Sequence, residues 1–403
     1  MSRSELGSET GLTRSAIRAL VGELAAGGLV IEEPAVPLGT PGRPSPLVRL
    51  DPSAAAVVAC EVLVDAMAAA IVALDGTVTE VARIERPRRE LTEDRVVSDL
   101  RTLVAGLVGR VRPNLVGIGV AIAGVVRRSD GVVSMAPNLG WKDVPFGPRL
   151  SAAFGMDLPL AVANDADLGA LAEHRRGAAV GIDDLLYISG EVGVGGGIIT
   201  SGRPLTGAAG YGGEIGHLPV NPGGKPCRCG AIGCWETEVG EGALLAIAGL
   251  PPDAGRDGVE TVLARAAAGD AAAKASLNHV GRWLGIGLAG LVNVFNPRLV
   301  VLGSMHGRIY PAIRATAERE LFRRALPAPA SQVRILPSTL GMDAPLLGAA
   351  ELALEPMLAD PAAYIDRARR KELSATGAAM GGPSSESLRT TLLRLPEQGK
   401  GLA

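Results

Sequence analysis

The order of apolar segments between residues 54 and 122 constrains the fold more than any other feature of this chain. Val57 to Val64, Met67 to Leu74 and Val78 to Ile84 are apolar runs of β type, close enough to pair, with Asp75-Gly76 as the turn between the last two. Thr92 is placed to cap a helix in which Val96, Val97, Leu100, Leu103, Val104, Leu107 and Val108 form one apolar stripe. Leu115 to Ile122 follows as a short buried strand that ends at Gly124. Three meandering strands, a helix and another strand open a ribonuclease-H-like α/β lobe, and the Gly-rich half beyond is expected to supply a second lobe. A length of 403 residues leaves room for both and for a further small domain.

That small domain is expected at residues 1–52. Leu6, Gly7, Gly11, Leu12, Ile17 and Leu20 have the spacing of two short helices crossing at a tight turn, with Gly11 as the turn residue. Thr13 can cap the second helix, whose exposed face then offers Thr13, Arg14, Ser15 and Arg18 to base edges and phosphates. Leu29 to Glu32 and Leu47 to Leu50 can pair as a wing, with Gly42-Arg43-Pro44 near its tip, where Arg43 would enter a minor groove. A winged helix-turn-helix normally has another helix before this pair. Only a few residues precede it here, which leaves open whether the chain as written begins inside the domain.

Charge limits what else the chain can bind. A net charge of -2 excludes a generally basic nucleic-acid coat, and 3% aromatic residues argue against base-stacking platforms, so any DNA contact must be local. With 47% apolar and 20% charged residues the composition is that of a folded globular protein. No apolar run approaches the roughly 18 residues of a membrane helix, and Met1-Ser2-Arg3-Ser4-Glu5 lacks the apolar region of a secretory signal. The expectation is a cytoplasmic protein with no membrane partner. The stretch 366–403, mixed in charge and without a sustained period, reads as a disordered tail.

Three of four cysteines crowd together. His217, Cys227, Cys229 and Cys234 supply one imidazole and three thiols within a Gly- and Pro-rich span, the ligand set of a closed structural zinc site. Four such ligands leave no open position for a catalytic water, so zinc is expected to order this loop rather than do chemistry. Glu214 and Glu236 flank the cluster.

Gly213-Glu214-Ile215-Gly216-His217, followed by Cys227-x-Cys229-Gly230-x-x-Gly233-Cys234-x-Glu236, resembles the signature of the ROK family of bacterial sugar kinases and sugar-responsive repressors. Pro137-Asn138-Leu139-x-Trp141, Asn164-Asp165, the glycine run 193–197 and Asn296 to Gly303 stand in the family's order, so the resemblance runs from roughly residue 54 to 358. It implies a two-lobed actin-like fold: a first lobe at 53–163 and a second at 164–358 that carries the zinc loop, its C-terminal helix placed to pack back on the first. It further implies that Asn138, Asn164, Asp165, Glu214, His217 and Glu236 line a sugar site between the lobes. Acids and amides suit that task, because an analogue lacking one hydroxyl leaves a buried polar group unpaired. In the family's kinases the aspartate matching Asp165 is the general base. A carboxylate that only binds a hydroxyl would look the same.

The resemblance also shows what this chain lacks. The kinases have Asp-x-Gly-Gly-Thr after the first strand, whereas Glu61-Val62-Leu63-Val64-Asp65 stands here; they have Gly-Thr-Gly-x-Gly later, where this chain has Glu191-Val192-Gly193-Val194-Gly195. Bare backbone gives way to branched side chains and acids, which crowd and repel phosphate. ATP is therefore not expected, no residue is assigned as catalytic, and the glycines left at 193–197 need only be a tight strand connection. With the winged helix, this leads to a DNA-binding regulator of carbohydrate metabolism, a repressor whose operator affinity is changed by a bound sugar or sugar phosphate, acting as a homodimer or homotetramer. The alternatives are an active sugar kinase, or a protein-binding regulator that does not sense sugar.

Overall fold

The computed structural model describes residues 1–34, 46–111 and 114–367. Ser2 and Glu5 cap helix α1 (Arg3–Thr10) reciprocally, and Gly11 takes the left-handed conformation, φ 69°, that turns the chain. The Thr13 hydroxyl accepts from the Ala16 N–H to cap α2 (Arg14–Ala26), and Gly7 lies against Leu12 and Ile17 where the two helices meet. Strands β1 (Val30–Glu33) and β2 (Leu47–Leu50) pair antiparallel, Val30 opposite Leu50. The ribbon starts one residue after the expected Leu29, whose side chain is buried instead in a cluster with the first lobe. Arg43 and the rest of 35–45 lie outside the described residues, as does 368–403; Asp366 and Arg367, assigned above to the tail, close a helical segment at 361–367.

The first lobe is built on β3 (Ala56–Val62), β4 (Ala66–Ala73) and β5 (Val78–Glu85), an antiparallel meander, followed by α3 (Glu93–Val111) and β6 (Leu115–Ile122) parallel to β3. β3 and β4 are buried along their whole length, while β5 alternates between half-buried and exposed, as an edge strand should. A three-stranded ribbon, β7 (Val125–Arg127), β8 (Val132–Ala136) and β9 (Trp141–Val144), leads to α4 (Phe146–Phe154) and β10 (Leu160–Asn164). The sheet order is β10-β6-β3-β4-β5.

The second lobe repeats this plan. Helix α5 (Asp165–Arg176) leads into β11 (Leu185–Gly190), β12 (Val194–Thr200) and β13 (Arg203–Pro204) as an antiparallel run, and β14 (Leu299–Gly303) and β15 (Arg334–Pro337) then add parallel to β11. Short helices α6 (Glu236–Val239), α7 (Glu241–Ile247) and α8 (Gly255–Ala267) precede the long α9 (Ala271–Phe295) and α10 (Ser304–Arg324), which enclose one core with this sheet. After α11 (Pro327–Ala330), α12 (Ala344–Ala359) crosses back to the first lobe.

Helix α12 lies unusually close to its neighbours. A Cβ on Gly119 would overlap the Ala349 carbonyl, one on Gly117 would sit 2.7 Å from the Ala353 carbonyl oxygen, and one on Gly348 would overlap the Leu168 carbonyl of α5. Glu351, 3% exposed, receives Arg175 and Arg176 of α5. Helix α5 is thus clamped between α12 and the second sheet, where Gly197 would strike the Ala166 carbonyl if it carried a side chain. Overpacking of this kind costs about 1–3 kcal/mol and sometimes more. Gly119→Val is therefore expected to lower the unfolding free energy measured by chemical denaturation by at least that amount, whereas Gly109→Ala, with open space around it on α3, should change it little.

Candidate functional site

The mouth between the lobes gathers the predicted sugar residues. Asn138, Asn164, Asp165, Glu214, His217 and Glu236 all line one cavity of about 80 Å³, with Gly193 among them. Each is positioned by an element end. Asn138 sits in the turn after β8, where the Leu139 N–H donates to Ala136. Asn164 ends β10 and caps α5: its Oδ1 accepts from the Ala166 and Asp167 N–H groups, and its Nδ2 donates to the Gly124 carbonyl. Most of that amide is therefore spent on holding the β10–α5 corner, and Asp165 at the start of α5 is the group left facing the cleft. Glu214 and His217 bracket a 3₁₀ turn, and Glu236 opens α6. The glycine run has a packing reason. Gly195 and Gly196 meet Ala166 and Ile215 too closely for side chains, and a Cβ on Gly193 would lie 2.9 Å from Glu236 Oε2 and 3.2 Å from Asn138 Nδ2.

Two arginines that the sequence reading did not select converge on Asn138. Arg88, from the 3₁₀ turn Arg88–Glu90 before α3, donates through Nε to the Asn138 carbonyl and through an Nη to its Oδ1 at 3.0 Å. Arg228 donates to the same Oδ1 at 2.7 Å. Their only early signal was position, one in a Pro-Arg-Arg turn and one between two cysteine ligands.

His217, Cys227, Cys229 and Cys234 present ligand atoms within 4.8 Å of one another, and Glu236 Oε1 stands beside them, accepting from Cys227 Sγ at 2.8 Å. A tetrahedron with bonds of about 2.3 Å has edges of about 3.8 Å. Cys229 and Cys234 Sγ are already 3.7 Å apart, as are Cys227 Sγ and His217 Nδ1, so the donor set fits a zinc-type ion. The loop is folded for this by bridges between Pro219 and Cys234 and between Pro226 and Ile232, and it is anchored by the fully buried Trp235, whose Nε1 donates to the Trp283 carbonyl at 2.9 Å. His217 belongs to both sites, its Nδ1 toward Cys227 and its ring against the cleft.

At the N-terminal unit Thr13, Arg14, Ser15 and Arg18 are all exposed at the start of α2. The ion pairs of this unit among the described residues are Arg3 with Glu32 and Arg49 with Glu33, so Arg14 and Arg18 present uncommitted charge. Leu24 and Leu29 pack toward the first lobe with Tyr364 and Ile365, and Ile365 lies directly on Gly27. The Tyr364 hydroxyl donates to the Ala54 carbonyl at 3.0 Å and accepts from Asn114.

Beside the cavity that holds Asp165 lies a larger one of about 370 Å³. Its wall includes Val259 and Met305, but also Asp65, Glu191 and Glu241, with Arg256 as the cation nearest Glu191 at 3.9 Å. Below, Glu61 is 2% exposed and its Oε2 has no hydrogen-bond partner. Burial, with Glu191 and Asp165 adding to it, pushes the Glu61 carboxyl up to about 8; burial pushes Glu191, Glu214 and Asp167 each to about 7 and raises Asp165 as well. These carboxyls hold protons more tightly folded than unfolded. Their contribution is therefore intact below the ordinary value of 4.5 and is lost as pH rises through 7 to 8. Stability should fall between pH 5 and pH 8.5. Glu61→Gln should raise the melting temperature at pH 8.5 by the equivalent of about 1–3 kcal/mol, at roughly 2–4 °C each, and leave it near the parent's at pH 5. Paired thermal melts at both values check this.

Comparison with known proteins places this geometry. Residues 57–356 match the ROK family. The chain is 28% identical over 360 residues to a xylose repressor of Bacillus subtilis, covering 89% of this chain and 92% of that one. It is 35% identical over 251 residues to a glucokinase of Halalkalibacterium halodurans, covering 59% of this chain and 76% of the other. Among solved structures, a ROK family transcriptional regulator described as a homolog of the E. coli MLC protein superposes with a TM-score of 0.71 at 27% identity, over 87% of this chain and 90% of that one. The actin-like pair of repeated lobes, the Gly-Glu-Ile-Gly-His turn and the cysteine loop beside it agree with one conclusion: the chain belongs to the ROK family.

Proposed function

We propose that the chain is a sugar-responsive transcriptional repressor of carbohydrate metabolism, binding operator DNA through α2 and the β1–β2 wing as a homodimer or homotetramer. The observation that carries this reading is the direct packing of the N-terminal helix pair, whose second helix exposes Arg14 and Arg18, against the segment that follows α12, through Gly27 and Ile365. Similarity to a xylose repressor across nearly the whole chain supports it. Against a kinase stand the acids Asp65, Glu191 and Glu241, which occupy the larger cavity where a triphosphate would have to lie. Similarity to glucokinases is accounted for by the shared lobes and sugar residues.

In this reading Asn138, Asp165, Glu214, His217 and Glu236 hold sugar hydroxyls, with Asn164 fixing the corner that presents Asp165. His217, Cys227, Cys229 and Cys234 would hold a structural zinc, which would order the loop; with one ring nitrogen so bound, His217 would present the other to the ligand. Sugar bears on α5 at Asp165, α5 bears on α12, and α12 continues into the segment that touches Gly27. Bound sugar and bound operator then change each other's affinity, typically by about 1–3 kcal/mol in such linkages.

Purified protein should carry one zinc per chain by elemental analysis. Cys229→Ser should lower zinc content, melting temperature and sugar affinity together; an unchanged melting temperature with unchanged zinc would remove the cluster from the account. Operator binding is tested by fluorescence anisotropy against DNA surrounding the gene itself, at one stated salt concentration, with and without a sugar identified by thermal shift. Arg14→Ala or Arg18→Ala should cost about 1–3 kcal/mol on that DNA. Ile365→Ala should retain both ligands and lose the effect of sugar on DNA affinity. No preference for that DNA over random sequence, in either sugar state, would overturn the repressor reading.

A further inference from the structure

The larger cavity has the walls of a ligand site and a charge that its own residues do not balance. At about 370 Å³ it is of small-molecule size, and Val64, Val259, Leu302, Met305 and Pro337 make much of its wall apolar. Its acids are Asp65, Glu191, Glu241 and Glu260, and its bases Arg256 and Arg308. Arg308 is taken by Glu260, which accepts from it through both oxygens at 2.5 and 2.8 Å. The other three acids are left with Arg256, which meets Glu191 at 3.9 Å and forms no other ion pair among the described residues. Asp65 and Glu241 have no side-chain hydrogen bond or ion pair among those residues, and Glu241 is 8% exposed. Under the wall Glu61 adds a buried acid with Oε2 unpartnered, and Glu191 is the charge that weighs on it most. Burial pushes Glu191 up to about 7 and raises Glu241, with Asp65 adding to both. Carboxylates kept from water and from partners call for a cation.

We infer that this cavity is a second ligand site, whose occupant is an organic amine: a compact apolar body against Val259 and Met305, and an ammonium among Asp65, Glu191 and Glu241. An ammonium brings three donors, one for each acid. A bare metal ion fits less well, since it needs several oxygens gathered at one point, and the group so gathered among the described residues is the cysteine-histidine cluster. Phosphate-bearing ligands meet the same acids as repulsion. Asp65 lies in the turn between β3 and β4 of the first lobe, while Glu191 follows β11 and Glu241 opens α7 in the second. The ammonium therefore ties the lobes together. Val64, Glu191 and Val192 line both cavities, so an occupant of the larger one bears on the smaller through a shared wall. The site itself stands whether or not the smaller cavity takes sugar.

The test is calorimetric titration of the full-length protein, at one low salt concentration, with matched sets that share a body and differ in the polar group: phenethylamine, phenylethanol and phenylpropanoate; cyclohexylmethylamine, cyclohexylmethanol and cyclohexylacetate. Spermidine and calcium chloride supply charge without a compact body. In at least one set the amine should bind about ten-fold or more tighter than its alcohol and its acid, and tighter than spermidine or calcium. Asp65→Asn, at an exposed position, and Glu241→Gln should each weaken that amine about ten-fold and leave the alcohol unchanged. Arg256→Gln should act in the opposite direction and tighten it about three-fold, because a competing cation has gone. Glu214→Gln, which changes the lining of the smaller cavity alone, should have no effect on it. Amines that bind no better than their alcohols, spermidine or calcium that binds as well as the best amine, an advantage that survives the double Asp65→Asn, Glu241→Gln variant, or one lost in Glu214→Gln would each overturn the inference. None of these results bears on whether the smaller cavity binds sugar.

Discussion

Backbone-to-backbone contact around α12 is the constraint on which the rest of this structure depends. Gly117 and Gly119 let the helix settle on the first sheet, and Gly348 lets α5 settle on it in turn. With side chains at these positions the helices would stand off, and α5 could no longer touch both lobes. The corner at Asn164, the aim of Asp165 into the cleft and the reach of residues 361–367 to the N-terminal unit all follow from that fit. The buried ion pairs from Arg175 and Arg176 to Glu351 fix the register of the two helices rather than supplying most of their attraction.

The second organising fact is how charge is distributed around the cleft. A folded protein normally pairs or exposes its acids, yet Glu61, Glu191, Glu214 and Asp167 lie mostly out of water. Such an arrangement persists only where other contacts outweigh it, which is the usual economy of a ligand site.

Much of this was legible in the sequence where local pattern and burial agree. The β3–β4–β5 meander, α3 and β6 announced themselves because wholly buried strands read as apolar runs and an amphipathic helix reads at its own period. The metal group was visible because three of its ligands lie within eight residues. The cavity-lining residues came from resemblance, since no single-residue property distinguishes Asn138 or Glu214 from a solvated polar side chain. What could not be read was contact at long range. Arg88 and Arg228 converge on Asn138, Ile365 meets Gly27, and Glu61 lies near the end of β3, whose composition gave no hint that one carboxyl oxygen would be left without a partner. Asn164 illustrates an intermediate case: its place in the cleft was foreseen, while its employment as a helix cap emerged only with the corner in view.

Among the described residues the N-terminal unit meets the body through Ile365 on Gly27, Leu24 and Leu29 against their neighbours, and the turn at 51–54 that follows β2. The residues in contact are apolar, and the exposed start of α2 with Arg14 and Arg18 is not among them. Heads with different reading residues could therefore be exchanged onto this body, provided they keep a glycine at the position of Gly27. In the repressor reading, sugar preference and target-site preference would then diversify separately.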